Sequence, residues 1–249
     1  MSDKMIIGLV GNQNAGKTTL FNALTGQNAT IGNWPGVTIE RKEGYIKGEK
    51  SLLLVDTPGV YSLSPYTSEE QVTRSFCLDA NPDLIVNIVD ATAMERSLYL
   101  TTQLMELDAN VIVAMNMADI LEKKGIHIDF KKLEEELGVS IVRISAKTGE
   151  GIDDLISLIR DRKYRKNPKK KIFAPDIEKE LDHLQNDLYN ELEDKRELRF
   201  SAVKLFENDP FYQALNNGST KKEVASLEKK YDMDAEQIIA DGRYQYVTK

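Results

Sequence analysis

The sequence predicts an α/β fold with a doubly wound, mainly parallel sheet, followed by a small all-helical domain. Apolar runs alternate with helical patterns up to about residue 159, and such runs are typical of strands that are buried on both faces. A glycine-rich turn joins the first apolar run directly to a helix. Beyond about residue 175 no strand pattern occurs, and apolar residues recur at helical spacing.

The elements of the first part follow from these patterns in order. Strands are predicted at 5–10, 38–48, 51–55, 84–89, 111–115 and 141–144. Helices are predicted at 19–24, 68–78, 97–107, 129–137 and 151–159, with Gly138 ending the fourth. The polar stretches 27–37 and 61–67 show neither the strand nor the helix spacing of apolar residues, so both are predicted to be mobile loops.

The composition changes at Arg160, where a basic run begins that extends to Lys171. We interpret this run as a solvated linker, with a phospholipid contact as the alternative. The domain boundary is placed within it, giving a first domain of 1–166 and a second of 167–249. Helices in the second domain are predicted from four signals: the stripe Ile177, Leu181, Leu184 and Leu188, the segment 198–206, and capping boxes at Thr220–Glu223 and Asp234–Gln237.

Composition limits the function classes. The chain has 249 residues, 41% hydrophobic and 29% charged, as expected of a soluble globular protein. A net charge of −7 argues against a nucleic-acid-binding surface. No secretory signal or membrane-spanning run is evident, and the single cysteine, Cys77, is expected to be a buried thiol in a reducing compartment. His127 and His183 are isolated, so no Fe²⁺ site is visible.

Residues 11–18, G-N-Q-N-A-G-K-T, match the phosphate-loop pattern G-x-x-x-x-G-K-S/T between a strand and a helix. Backbone N–H groups at such a helix start point into a concavity that suits phosphate oxygens. Lys17 is expected to reach the β- and γ-phosphates, and the Thr18 hydroxyl to bind Mg²⁺. A chance pattern in a glycine-containing turn is the alternative.

Further motifs follow at predicted strand ends and in a predicted mobile loop. D-x-x-G at 56–59 places Asp56 for Mg²⁺ and the Gly59 N–H for the γ-phosphate, and Thr38 offers its hydroxyl to Mg²⁺ and its carbonyl to the attacking water. N-x-x-D at 116–119 places the Asp119 carboxylate for guanine N1–H and N2–H₂, which adenine lacks. The Ala146 N–H is expected to meet guanine O6.

Together these motifs predict a guanine-nucleotide site for GTP or GDP. Lys17, Thr38, Asn14 and Gly59 are the residues expected to take part in hydrolysis. The residues expected to contact nucleotide are Gly11, Asn12, Gln13, Asn14, Ala15, Gly16, Lys17, Thr18, Thr19, Gly36, Val37, Thr38, Asp56, Gly59, Asn116, Met117, Asp119, Ser145, Ala146 and Lys147.

The water-orienting group is not evident from the sequence. Ras-type enzymes use a glutamine directly after D-x-x-G, and Val60 stands there in this chain. The Asn14 amide oxygen could hold a monovalent cation against the β–γ bridge, or Asn14 could simply shape the loop. Glu69 and Glu70 could orient water, although a solvated helix start is the favoured interpretation.

Three stretches resemble the cytosolic G domain of prokaryotic ferrous-iron transport protein B: I-G-N-W-P-G-V-T at 31–38, D-T-P-G-V-Y-S-L at 56–63 and N-I-V-D-A-T at 87–92. The resemblance implies a P-loop GTPase domain followed by a helical, dissociation-inhibitor-like domain and then a membrane permease domain. It implies Mg²⁺ bound by Thr18, Thr38 and Asp56, and K⁺ bound by Asn14.

Two residues depart from the family pattern. Gln13 replaces the proline of Gly-Asn-Pro-Asn, which removes a φ constraint, and Met117 replaces the lysine of generic GTPases, which removes a packing contact over the base. Since no membrane part is present, the resemblance implies a soluble excised portion that acts at the cytoplasmic face of the inner membrane. It leaves homo-oligomerisation open and implies no nucleic-acid partner.

The leading functional hypothesis is a GTP hydrolase that gates or drives Fe²⁺ uptake. The alternatives are a slow regulatory switch, in which nucleotide state matters more than turnover, and a ribosome-assembly GTPase. The net negative charge and the lack of a basic RNA-binding segment argue against a ribosome-assembly GTPase.

Overall fold

The computed structural model describes residues 4–26, 28–166, 170–215 and 221–249. The chain forms two compact units, Met1–Met105 with Ala109–Pro168, and Glu106–Asp108 with Lys169–Lys249. The predicted boundary after residue 166 adjoins residue 167, which lies outside the described residues, so that boundary stays a prediction.

The first unit is built on a seven-stranded sheet with the order β2-β3-β4-β1-β5-β6-β7. Its strands are β1 (Met5–Gly11), β2 (Thr30–Asn33), β3 (Glu40–Tyr45), β4 (Leu52–Asp56), β5 (Leu84–Asp90), β6 (Val111–Asn116) and β7 (Ser140–Ile144). Strands β4, β1, β5, β6 and β7 run parallel, whereas β2 and β3 pair antiparallel. The predicted doubly wound, mainly parallel fold is confirmed.

Six helices accompany the sheet in the described part of the first unit, and four form the second. The first set is α1 (Lys17–Thr25), α2 (Ser68–Leu78), α3 (Met94–Leu104), α4 (Ala118–Lys123), α5 (Phe130–Leu137) and α6 (Ile152–Arg160). The second set is α7 (Pro175–Leu188), α8 (Leu198–Phe206), α9 (Lys221–Tyr231) and α10 (Ala235–Val247).

Several local predictions are confirmed. Gly138 ends α5 in the left-handed conformation, and its N–H donates to the Glu134 carbonyl. Asp234 and Gln237 form the predicted capping box of α10. Cys77 is a buried free thiol, and burial raises its pKa to about 12. The capping box predicted at Thr220 lies outside the described residues.

The sheet core explains why the central strands read as continuous apolar runs. All residues of β6 are buried, and the side chains of β1, β4 and β5 pack with α1 and α6 in one cluster that includes Leu20, Phe21 and Leu155. Because these strands are parallel, their carboxyl ends meet at one edge of the sheet. That edge carries the predicted motifs.

The loop predicted at 27–37 is wrong in part, because residues 30–33 form β2. Every β2 residue is exposed, so no alternation of apolar and polar residues marks it. The strand instead exists by antiparallel pairing with β3. Helix α4 was also missed, since six residues are too few to display a helical period.

The tip of the β2–β3 hairpin is a turn that the sequence W-P-G-V builds. The Val37 N–H donates to the Trp34 carbonyl at 3.3 Å, and Gly36 has φ 77°, as the third residue of a type II turn requires. The Trp34 N–H donates to the Ile39 carbonyl and closes the loop. The Trp34 ring is buried edge-on against Phe76 of α2, at a centroid distance of 5.6 Å.

The basic run is largely paired with acidic side chains where the structure describes it. Arg160 lies 3.1 Å from Asp161, Arg165 lies 3.0 Å from Glu134, and Lys171 lies 2.5 Å from Asp182. These pairs favour the solvated-linker interpretation over a free cationic surface. Separately, none of the described helices has the length and apolar character needed to cross a membrane.

The second unit has an apolar core in which charged side chains are also buried. Leu181, Leu184, Phe206 and Ile239 belong to the apolar part. Arg243 has no exposed surface, and its guanidinium donates to both Glu106 carboxylate oxygens at 2.6 and 3.1 Å. Glu106 reaches this core because the segment after α3 belongs to the helical unit.

The same charged cluster is completed by one residue of α8, Lys204, and by Glu207, which directly follows that helix. Glu207 lies 3.6 Å from Arg243 and accepts a 2.6 Å hydrogen bond from Lys204, which is 1% exposed. Burial raises the pKa of Glu106, while the Arg243 guanidinium opposes that shift. We call Glu106, Lys204, Glu207 and Arg243 the buried charge cluster.

Candidate functional site

The phosphate loop leaves β1 at Gly11 and enters α1 at Gly16. Asn14 and Gly16 both have positive φ, 63° and 93°, which turns the loop back on itself. A side chain at Gly16 would collide with the Asn116 amide, since a β-carbon there would lie 2.4 Å from Nδ2. The sequence therefore builds the sharp turn that the phosphate-loop motif predicts.

Lys17 and Asp56 form an ion pair at the centre of the site. The Lys17 Nζ lies 2.5 Å from Asp56 Oδ1, and both side chains are mostly buried, with 11% and 9% exposed. Burial raises the pKa of Asp56, and the positive charge of Lys17 partly offsets that rise. The motif residues expected to hold phosphate and Mg²⁺ thus neutralise each other here.

Hydrogen bonds join the segment 56–60 to β1, to the start of the phosphate loop and to α2. The Thr57 N–H and hydroxyl both donate to the Leu9 carbonyl, and the Val60 N–H donates to the Gly11 carbonyl at 3.1 Å. The Thr73 hydroxyl donates to the Pro58 carbonyl at 3.2 Å. Gly59 consequently lies directly beside the phosphate loop.

Asn116 joins two of the predicted motifs. Its Nδ2 donates to the Ala15 carbonyl at 2.9 Å, and its Oδ1 accepts from the Ala146 N–H at 3.0 Å. The Ala146 N–H, which the sequence predicts to face guanine O6, is therefore bonded to Asn116 in this structure. Through these two bonds Asn116, which is 3% exposed, braces the phosphate loop against the loop after β7.

A cavity of ≈ 440 Å³ lies beside this brace, between the N-x-x-D and S-A-K motifs. Asp119 lines it from the first turn of α4, where its carboxylate pairs with Lys123 at 3.3 Å. Met117, the N-cap residue that directly precedes α4, adopts a positive φ of 66°. The remaining lining residues are Gly16, Thr19, Asn116, Ile120, Lys123, Ser145, Ala146, Lys147 and Thr148.

Not every predicted residue is drawn into the site. Thr38 is exposed on the hairpin tip with Gly36, and no hydrogen bond joins it to the phosphate loop within the described residues. Asn14 and Thr18 are exposed at the loop. The Glu70 carboxylate accepts from the Thr67 N–H and hydroxyl in a capping box, which favours the helix-start interpretation.

Three site contacts were missed at the sequence level. The Asn12 amide donates to the Arg96 carbonyl at 3.3 Å, and the Arg96 guanidinium lies 5.2 Å from the Tyr61 ring centre. Thr148 lines the ≈ 440 Å³ cavity. No local pattern marks Arg96 or Thr148, because their roles depend on loops that are distant in sequence.

A larger cavity, ≈ 520 Å³, lies in the helical unit and carries no recognised motif. Asp176, Glu180, Asp187 and Glu223 line it together with His183. His183 Nδ1 lies 3.5 Å from Glu180. The described part of the chain contains no group of three or more His, Cys, Asp or Glu residues arranged to hold a metal ion.

Comparison with known proteins adds the family. A model described as "Ferrous iron transport protein B" matches residues 5–159, and one described as "FeoB cytosolic helical domain" matches 173–249. The chain belongs to the FeoB family. With the nucleotide motifs assembled at one sheet edge, it is a GTPase of that family.

Relatives and solved structures agree with this membership. The chain is 39% identical to "Fe(2+) transporter FeoB" of Salmonella typhimurium (strain LT2) and 38% identical to that of Escherichia coli (strain K12), in each case over 98% of the chain. It spans 32% of the length of each relative.

Two crystal structures of NFeoB from S. thermophilus are also similar, each with 38% identity. One is a mutant bound to mGDP, with a TM-score of 0.89 and coverage of 99% of this chain and 97% of that chain. The other is bound to GDP.AlF4- and K+, with a TM-score of 0.85 and coverage of 98% of both chains.

Proposed function

We propose that this chain is the GTP-dependent cytoplasmic part of a ferrous iron transporter, and that its nucleotide state gates or drives Fe²⁺ uptake through a membrane permease domain. The observation that carries the proposal is that 98% of the chain, both units included, aligns with proteins named Fe(2+) transporter. Because the chain spans 32% of those proteins, their transport activity is inferred for it.

The ≈ 440 Å³ cavity between the N-x-x-D and S-A-K motifs, which we call the base cavity, is proposed to select guanine. The Asp119 carboxylate would accept hydrogen bonds from N1–H and N2–H₂ of the base, while adenine would leave that charged acceptor unpaired. For guanine O6 to reach the Ala146 N–H, it would share or replace the present bond to Asn116. Lys147 and Met117 would flank the base from the two loops.

The phosphates are proposed to bind by exchange of the Lys17–Asp56 pair. Lys17 would turn from Asp56 to the β- and γ-phosphates, and Asp56 would then be released for a metal. The donor set of Thr18 hydroxyl, Thr38 hydroxyl and Asp56 carboxylate fits Mg²⁺, which prefers oxygen ligands. When bound there, Mg²⁺ would neutralise charge on the β- and γ-phosphate oxygens.

The switching elements are proposed to be the hairpin tip with Thr38 and the segment around Gly59. With GTP bound, Thr38 would be drawn to the metal and the Gly59 N–H to the γ-phosphate; hydrolysis would release both. The hairpin tip is suited to such motion because Thr38 is exposed and only the Trp34 side chain of that turn is buried.

Asn14 is proposed to hold K⁺ against the phosphates. Support comes from its exposed amide at the loop apex and from the related NFeoB structure that contains K+. Its positive φ also gives Asn14 a loop-shaping role, since asparagine tolerates that conformation better than most residues. The two roles are compatible.

A single-turnover assay of GTP hydrolysis in KCl and in NaCl tests the cation proposal. We expect faster hydrolysis in KCl for the unaltered chain and equal rates in the two salts for Asn14→Ala. Equal rates for the unaltered chain would overturn the K⁺ assignment while leaving GTP binding intact.

The transport proposal is tested with the full-length protein in proteoliposomes that report Fe²⁺ entry. If nucleotide binding gates uptake, GTP and the non-hydrolysable analogue GMPPNP should both support Fe²⁺ entry; if hydrolysis drives it, GTP alone should. Lys17→Ala is the matched control, since it removes the lysine that is proposed to bind the β- and γ-phosphates. Equal entry with GTP, with GDP and without nucleotide would contradict both forms.

A further inference from the structure

GTP hydrolysis requires a group that holds the attacking water, and the segment after Asp56 does not supply one. The Val60 side chain is apolar and 2% exposed, and its N–H is committed to the Gly11 carbonyl. The Glu70 carboxylate accepts from Thr67 and from the Ser62 hydroxyl at 3.2 Å. The position that follows D-x-x-G is therefore filled by a core residue.

Gln13 of the phosphate loop lies where such a group is needed. A β-carbon placed on Gly59 would lie 3.1 Å from Gln13 Cγ and 3.2 Å from Gln13 N and Cα. Gln13 thus lies beside the glycine whose N–H is expected to meet the γ-phosphate, in the space where a side chain at that position would project. Its side chain is exposed, and no hydrogen bond holds its amide among the described residues.

The backbone on either side of Gln13 is fixed, although its side chain is free to turn. Gly11 accepts from Val60, and the Asn12 amide donates to the Arg96 carbonyl. On the other side, the Ala15 carbonyl accepts from Asn116 and the Ala15 N–H donates to the Asn12 carbonyl at 3.3 Å. The exposed Gln13 side chain can therefore turn beside Gly59 from a fixed stretch of backbone.

We propose that Gln13 is a catalytic residue, which takes the water-orienting part that Val60 cannot take. This inference rests on the proposed binding of GTP at this loop. The Gln13 Oε1 accepts a hydrogen bond from the attacking water, and Nε2 donates to a γ-phosphate oxygen. A neutral amide suits this position because, unlike a carboxylate, it is not repelled by the phosphate charge.

Water and GTP are the only reactants in the hydrolysis step. The water oxygen forms a bond to the γ-phosphorus as the bond from that phosphorus to the β–γ bridging oxygen breaks. The electron pair of the broken bond stays on GDP, and a water proton passes to a γ-phosphate oxygen, so GTP⁴⁻ and H₂O give GDP³⁻ and H₂PO₄⁻. Gln13 orients the water and is unchanged at the end.

The first test is single-turnover GTP hydrolysis by Gln13→Ala in saturating Mg²⁺ and KCl. We expect a rate about 100-fold lower, which is typical for loss of one orienting or charge-stabilising group, with GMPPNP affinity within about 2-fold of the unaltered chain. Gln245→Ala is the matched control, because Gln245 is an exposed glutamine of the helical unit that bonds Asp241. It should hydrolyse GTP at the unaltered rate.

A second variant tests the position of the side chain without relying on catalysis. Gln13→Glu has nearly the same shape but carries a negative charge, so it should weaken GMPPNP binding about 10-fold and leave GDP binding unchanged. A side chain that only shapes the loop would change both affinities equally or neither, and either result would overturn the proposal.

The outcomes separate this inference from the function on which it rests. Gln13→Ala with an unaltered or higher rate of hydrolysis would overturn the catalytic assignment alone. Failure of the unaltered chain to bind GTP would overturn the proposed function, and this assignment with it.

Discussion

Two ion pairs, one in each unit, use the same kinds of side chain in contrasting ways. Lys17 and Asp56 meet through one short contact at the mouth of the phosphate loop, where a ligand can replace either partner. In the helical unit, Arg243 binds Glu106 through two nitrogens and also lies near Glu207, which is bonded in turn to Lys204. The Lys17–Asp56 pair rests on a single contact that a ligand can replace, whereas the buried charge cluster is held together by several contacts.

The number of contacts that a buried charge makes indicates whether it is available to bind a ligand or is needed for the stability of the fold. A pair with one mutual contact leaves donors and acceptors available, so phosphate and metal can take them over with little loss of fold. A cluster with several mutual contacts pairs its charges within the protein, and removal of one member leaves others buried and unpaired. We therefore expect changes at Lys17 to alter activity and changes at Arg243 to alter stability.

The largest expected effect is the loss of stability when a substitution breaks the buried charge cluster. Arg243→Met should lower the free energy of unfolding of the helical unit by about 3–5 kcal/mol, because Glu106 loses its partner in the core. Urea unfolding followed by circular dichroism measures this. Lys195→Met is the control, since Lys195 is an exposed lysine of the same unit. A loss under about 1 kcal/mol would contradict the contrast.

The next effect concerns the exchangeable pair. Lys17→Ala should lower the single-turnover rate of GTP hydrolysis by about 100- to 1,000-fold, because phosphate charge is left without its cation. The free energy of unfolding should change by no more than about 1–2 kcal/mol. If the variant unfolded as readily as Arg243→Met, the Lys17–Asp56 pair would be a structural one.

A smaller effect follows from the raised pKa of Asp56, whose ordinary value is 3.8. The folded chain keeps this proton to higher pH than the unfolded chain, so Asp56 lowers stability as pH rises from 3.8 through the raised pKa. Mg²⁺ needs the carboxylate, so Mg²⁺-dependent affinity for labelled GDP should rise with pH across the same window.

Titrations of Mg²⁺ at a series of pH values check this expectation. Asp56→Asn should give weaker binding of Mg²⁺ and should remove the contribution of this group to the pH dependence. A pH dependence that is equally steep in Asp56→Asn would show that another group is responsible.

The smallest expected effect concerns the hairpin tip. The Arg41 guanidinium lies 4.9 Å from the ring centre of Trp34, the only tryptophan, and such a contact contributes about 0.5–1 kcal/mol. We expect GMPPNP to change the Trp34 fluorescence and Arg41→Gln to shift the nucleotide-free signal toward the bound one. An Arg41→Gln signal identical to that of the unaltered chain would mean that Arg41 does not hold the tip.

The sequence predicts the fold and the motif positions well, because buried parallel strands and phosphate loops have strong local patterns. It does not predict β2, whose exposed residues carry no alternation, or the membership of Glu106 in the helical unit. The Lys17–Asp56 pair was also missed, since both side chains were assigned to a ligand. Contacts between residues far apart in sequence leave no local signal.

The same limit applies to Gln13. The sequence marks it only as a departure from the family proline, and its closeness to Gly59 depends on how residues 11–16 turn beside 56–60. Asn116 is comparable, because its motif predicts contact with nucleotide while the structure shows it bracing two loops. In both cases the residue type was evident and its neighbours were not.

The most direct test of the account is the nucleotide preference of Asp119→Asn. Binding of labelled GTP and XTP to the unaltered chain and to the variant should be measured by fluorescence titration in Mg²⁺. We predict that the unaltered chain prefers GTP, and that the variant loses GTP affinity by about 10-fold or more while gaining affinity for XTP. Unchanged GTP affinity in the variant would contradict the assignment of the base cavity, and with it the central claim that this edge of the sheet is a GTP site.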